Sequence, residues 1–169
     1  MSRIVEQGLA AWHAIAAAPS EAALDAPLAE DVVFHSPVVH TPQRGRAITR
    51  LYLMAAFQVL ASPEKGSDAG SGSSGPDSSG PDSSGSGAPF AGPRPRRFRY
   101  VREIAGERDA VLEFMSEIDG ITIDGVDMIR FDDTGRIVDF KVMVRPLKAV
   151  AAIHAAMGRM LEAMKPVGR

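Results

Sequence analysis

Asp127 is the residue with the most chemistry to offer. It sits in Gly125-Val126-Asp127-Met128-Ile129-Arg130-Phe131, a run of β-branched and aromatic residues closed off by Asp132-Asp133. That is strand chemistry. Side chains alternate along a strand, so Asp127 shares a face with Ile129 and Phe131. A carboxyl on an apolar face is costly unless it is paired, hydrogen-bonded or protonated. Burial also raises its pKa, which is how functional acids are made. The plainer alternative is a sheet-edge aspartate turned to solvent.

His13, His35, His40 and His154 are the other acid–base candidates. His35 and Ser36 are neighbours in the short strand Asp31 to Val39, so one of them points inward in a given register. A bulge before Pro37 would bring both to one cavity. His35 is a poor base for Ser36, because adjacent strand residues face opposite ways. His154 falls on an apolar helical stripe with Leu147, Val150, Met157, Leu161 and Met164. It reads either as a core histidine bonded to backbone or as a polar group facing Asp127. An Asp–His pair in a dry cavity would titrate as a unit and could move a proton. The histidines show no pair at helical i, i+4 spacing and no HExxH run, so no metal is expected. No glycine-rich phosphate loop follows a strand, so no cofactor is expected.

The elements that position these residues can be read in order. Ile4, Val5, Leu9, Trp12 and Ala16 form one stripe of a first helix. Ser20 caps a short second helix at Glu21. The strand containing His35 and Ser36 follows, then a turn at Pro42 to Gly45. Ile48, Leu51, Tyr52, Ala55 and Val59 repeat at helical spacing as a third helix to about Leu60. Residues 62–95 hold no Val, Ile, Leu or Met and carry the tandem repeat Gly-Pro-Asp-Ser-Ser. That composition cannot offset its ordering entropy, so 62–95 is expected to be a disordered insertion within one domain spanning 1–169. Strands follow at Phe98 to Ala105, Ala110 to Ile118, Ile121 to Phe131 and Arg136 to Arg145, with Asp119-Gly120 as a hairpin turn. Pro146 opens the last helix. Phe140, Val142 and Val144 should line the inside, as should Phe114. Glu113, Met115, Lys141 and Met143 should lie outside.

Bulk properties narrow the function classes. The 169 residues suffice for one core, and a formal net charge of −2 gives no pull toward nucleic acid. The absence of cysteine excludes disulfides, thiol catalysis and cysteine-ligated zinc, and fits a cytoplasmic setting. No apolar run approaches the ~18 residues that span a bilayer, so no membrane partner is expected. Helices segregated from antiparallel strands point to an α+β fold, and a curved sheet wrapped by helices leaves a concave apolar pocket.

Three stretches resemble the nuclear transport factor 2-like superfamily, in particular its SnoaL-like and ketosteroid-isomerase-like proteins. They are Leu28 to Phe34 (LAEDVVF), Arg44-Gly45-Arg46-Ala47-Ile48, and Val126 to Ile137 (VDMIRFDDTGRI). The resemblance implies a cone-shaped α+β fold, a curved antiparallel sheet closed by helices, and a homodimer. In the isomerases the aspartate matching Asp127 is a protonated donor to an oxyanion. The resemblance puts Ser36 where those enzymes carry their base, and Trp12 where they carry a tyrosine donor. A serine cannot act as that base unaided, so the isomerase mechanism is not expected. The expected function is binding of a hydrophobic small molecule, with acid–base chemistry open to it. Asp127 would be its catalytic or anchoring group in a pocket of Trp12, His35, Ser36, Phe114, Ile129, Phe140, Val142, Val144 and His154. The alternative is a non-catalytic dimerisation module whose pocket is filled by its own side chains.

Overall fold

A computed structural model describes residues 2–61 and 98–164; the expectation for 62–95 lies outside the described residues. Helix α1 (Arg3–Ala17) begins at Ser2, whose hydroxyl accepts from the Val5 amide. Ser20 caps α2 (Glu21–Asp25) in the same way through the Ala23 amide. Strand β1 (Leu28–His35) leads through β2 (Gln43–Arg44) into α3 (Arg46–Ala61). Strands β3 (Arg99–Ala105), β4 (Asp109–Ile118), β5 (Ile121–Phe131) and β6 (Ile137–Arg145) then run in succession to α4 (Leu147–Met164). Asp119 and Gly120 both take positive φ at the β4–β5 turn, as a tight two-residue hairpin demands.

The six strands form one curved, unclosed sheet in the order β2-β1-β6-β5-β4-β3. The fold is thus the α+β architecture expected, with two differences. The stretch expected as a plain turn at Pro42 to Gly45 contains β2, which pairs with β1 through Val33 and Arg44. The sheet is also not wholly antiparallel, since β1 runs parallel to β6, with Phe34 opposite Phe140. A parallel partner needs a crossover, and this one spans most of the chain, so no local turn signal announces it.

The last helix faces the sheet through Ala149, Ile153 and Met157, flanked by Ala152, Ala156, Met160 and Leu161. This corrects the stripe read through Leu147 and His154. Leu147 is 84% exposed and His154 is exposed. In a helix so rich in alanine, apolar residues lie on several faces, and the stripe alone does not fix which of them packs.

Buried residues fall into two clusters. One joins α1, β1 and the far end of β5 through Val5, Leu9, Trp12, Phe34, Ile129 and Phe131. The other joins α3, α4 and the β4–β5 hairpin through Ala55, Phe114, Ile123, Ile153 and Met157. Tyr52, Tyr100 and Val142 pack against both.

Candidate functional site

A cavity opens where the two clusters meet. Its floor is buried and mostly aromatic: Trp12 from α1, Phe34 from β1, Phe114 from β4 and Phe140 from β6. The Trp12 ring centre stands 4.8 Å from that of Phe140 and 5.7 Å from that of Phe57. Half-buried residues make the rim: Ser36 and Pro37 after β1, Val59 and Leu60 at the end of α3, and Phe98 at the start of β3. Ser116 on β4 donates to the Leu60 carbonyl at 2.8 Å and holds that end of α3 to the sheet. The free volume is about 50 Å³. That is room for a few waters and well short of the ~300–1,000 Å³ of pockets that enclose drug-sized ligands.

Asp127 lines this otherwise apolar cavity and is 5% exposed. Its cross-strand neighbours are Leu112 on β4 and Val142 on β6. Tyr100 on β3 donates its hydroxyl to Asp127 Oδ2 at 2.7 Å. Trp12 donates its indole N–H to the same tyrosine oxygen at 2.8 Å. Burial drives the Asp127 carboxyl up to about 7, against the opposing hydrogen bond from Tyr100. One donor to a carboxylate contributes about 1.5–3 kcal/mol, less than removing the charge from water costs, and the net displacement is upward. Burial first, then the nearby Asp127 charge, push the Tyr100 phenol well above its ordinary value. At neutral pH the carboxyl therefore exchanges between neutral and ionised forms, while the phenol keeps its proton.

Seven of the residues proposed from sequence meet here: Trp12, Ser36, Phe114, Asp127, Phe140, Val142 and Val144. Three do not. His35 turns to the opposite side of the sheet and contacts Asp139 on β6 at 2.9 Å. Strand β1 ends at His35, so Ser36 is the residue that turns inward, and its Oγ accepts from the Val38 amide at 3.3 Å. Ile129 points inward but lies deeper on β5, packed in the α1 cluster and outside the cavity lining. His154 is on the solvent side of α4, and Ile153 and Met157 take the inward positions. No Asp–His pair forms in the cavity, and the only titratable side chains among its described lining residues are Asp127 and Tyr100.

Tyr100 is the functional candidate that sequence reading missed. The signal was present, since Phe98 and Tyr100 alternate with arginines in a strand. A register shift between Tyr100 and Arg102 breaks that alternation, so pattern alone does not carry it through β3. The site can transfer one proton at Asp127 or hold a ligand oxygen there. Among the described residues no group of three or more His, Asp or Glu is placed to hold a metal ion. Among them, too, no helix is long and apolar enough to cross a membrane.

No family model and no curated protein matches the chain. Solved structures do. A steroid delta-isomerase from Pseudomonas aeruginosa is 31% identical, with 96% of this chain and 95% of that one covered at a TM-score of 0.72. An uncharacterised protein with a cystatin-like fold from Silicibacter pomeroyi is 25% identical over 93% of this chain and 86% of that one, at 0.68. A nuclear transport factor 2-like protein of unknown function from Mesorhizobium loti is 17% identical over 86% and 93% of the two chains, at 0.57, a likeness of fold alone.

Proposed function

The chain belongs to the nuclear transport factor 2-like superfamily, on its ketosteroid-isomerase-like side, and we propose that it binds a small, largely apolar molecule bearing one oxygen, anchored at Asp127. The observation that carries this reading is a buried carboxyl lining a cavity whose other walls are nearly all apolar. A buried polar group of that kind costs several kcal/mol if left unmet, so a protein keeps one where something meets it. Steroid isomerisation of the family type does not follow from the resemblance to the Pseudomonas enzyme. The reaction needs a base beside the substrate carbon, and the position the resemblance gives to that base holds Ser36, whose Oγ is engaged with the Val38 amide.

One observation favours a second reading. A free volume of about 50 Å³ is small for a steroid-sized ligand, as in a module that fills its own pocket. Trp12 distinguishes the two. It is the only tryptophan in the chain and lies in the cavity wall. Titration with apolar probes carrying one oxygen, such as 2-naphthol and small cyclic ketones, should give saturable changes in Trp12 emission. Native mass spectrometry of the purified protein would reveal a retained ligand. No emission change with any probe, together with a mass equal to the bare chain, would leave the self-filled module.

The outer sheet face supports a homodimer. Met128 and Met143 are 39% and 52% exposed there, with Val126 paired to Met143 and Val111 to Met128. Ion pairs Arg102–Glu113 and Arg145–Asp124 flank them. An apolar centre with a charged rim suits an isologous contact.

A further inference from the structure

The hydrogen-bond chain behind Asp127 has a direction. An indole N–H can only donate. The Tyr100 oxygen must therefore accept from Trp12, at 2.8 Å, and its single proton goes to Asp127 Oδ2, at 2.7 Å. Were Oδ2 to carry a proton and donate to Tyr100, the phenol proton would need another acceptor, and the described residues supply none. When the carboxyl is neutral, its proton is thus on Oδ1. That oxygen takes no partner among the described residues, and it is not a sealed, unsatisfied atom; Thr49 Oγ1 is the one such side-chain atom among them. Asp127 lines the cavity, and with Oδ2 taken by Tyr100 it is Oδ1 that is left for an occupant.

The surroundings make this oxygen the variable part of the site. Leu112 and Val142 flank Asp127 across the sheet, and the parts of α3 and α4 that line the cavity are apolar. Tyr100 from β3 is the other titratable lining group. Glu103 on the same strand and His13 on α1, edge-on to the Tyr100 ring, pair with each other at 2.7 Å outside the cavity. Ser36 from the end of β1 adds a neutral hydroxyl.

We propose that Trp12 and Tyr100 are positioning residues that fix the Asp127 carboxyl so that Oδ1 alone switches between donor and acceptor, and that the pocket thereby changes its ligand preference from carbonyl to hydroxyl compounds as that oxygen loses its proton. A ketone or aldehyde offers only lone pairs, so it binds the neutral carboxyl and is rejected by the carboxylate. An alcohol can donate to the carboxylate and is retained. The burial that holds Asp127 near 7 puts this exchange within reach of ordinary conditions. The inference deepens the binding reading given above and rests on it.

A matched pair, 1-tetralone and 1-tetralol, tests it by calorimetry on the full chain between about pH 5.5 and 8.5. The ketone should lose about tenfold or more in affinity across that range, while the alcohol holds or gains. Asp127→Asn, whose amide still accepts from Tyr100 and donates at every pH, should bind the ketone with no pH dependence. Tyr100→Phe removes the bond that favours the carboxylate, so the midpoint of the ketone profile should move to higher pH. Trp12→Phe should move it the same way by less. A residue that served packing alone would weaken both ligands without moving the midpoint. If both ligands bind with a ratio independent of pH, or the variants leave the midpoint in place, this inference is overturned and the binding reading stands. If neither binds at any pH, the binding reading falls and this inference with it.

Discussion

At the scale of the residue, Asp127 dominates. Its carboxyl is raised from an ordinary 3.8 to about 7 in the folded protein. Between those values the folded chain holds a proton that the unfolded chain has released. Stability is therefore fully present below the unfolded value, declines as pH rises through this window, and levels off above about 7. Asp127→Asn has no such proton. The variant and the parent should melt alike near pH 4, and the variant should be the more stable by about 2–4 kcal/mol above neutrality. Thermal melts across pH give the difference directly, and a difference that does not vary with pH would mean that the carboxyl titrates alike in the folded and unfolded chain. The strand was legible, but whether Asp127 faces inward or to solvent was open, since Val126 and Met128 make the opposite face apolar too. Tyr100 was legible only in part, because it alternates with arginines on one side while the register shift beyond it breaks the pattern for the rest of β3. His35 and Ser36 could not be separated by type, and what separates them is where β1 ends.

At the scale of the element, the β4–β5 pair is built around a missing side chain. Phe114 lies opposite Gly125, and a Cβ added there would stand 2.3 Å from the Phe114 ring. The end of the ring thus lies over Gly125, next to Asp127, where it forms part of the cavity floor. Gly125→Ala should push the ring inward, cost about 1–3 kcal/mol through overpacking, and reduce the Trp12 response to probes. Unchanged melting and unchanged titration would show that the ring has room to move elsewhere. The hairpin strands were readable from alternation and from Asp119-Gly120. Helix α4 was readable as a helix but not in rotation, because alanines on several faces leave the stripe ambiguous and Leu147 faces water. The parallel pairing of β1 with β6 left no trace in the sequence, since it depends on the whole chain folding back on itself.

At the scale of the molecule, the exposed methionines of the outer sheet face should hold two copies together. Light scattering at micromolar concentration should report a dimer, and Met128→Glu with Met143→Glu should give a folded monomer, because two like charges would face each other across the two-fold axis. A monomeric parent protein would remove that assignment. The cavity has its own consequence at this scale. It lies where two packed clusters on one continuous sheet meet, bridged by Tyr52, Tyr100 and Val142. A hollow joint has fewer contacts than the packing on either side of it, so local opening should begin there. An occupant would touch both clusters at once and act as mortar between them. The empty protein should then open in stages and the filled one as a single unit, with the bound molecule setting how many pieces the fold behaves as.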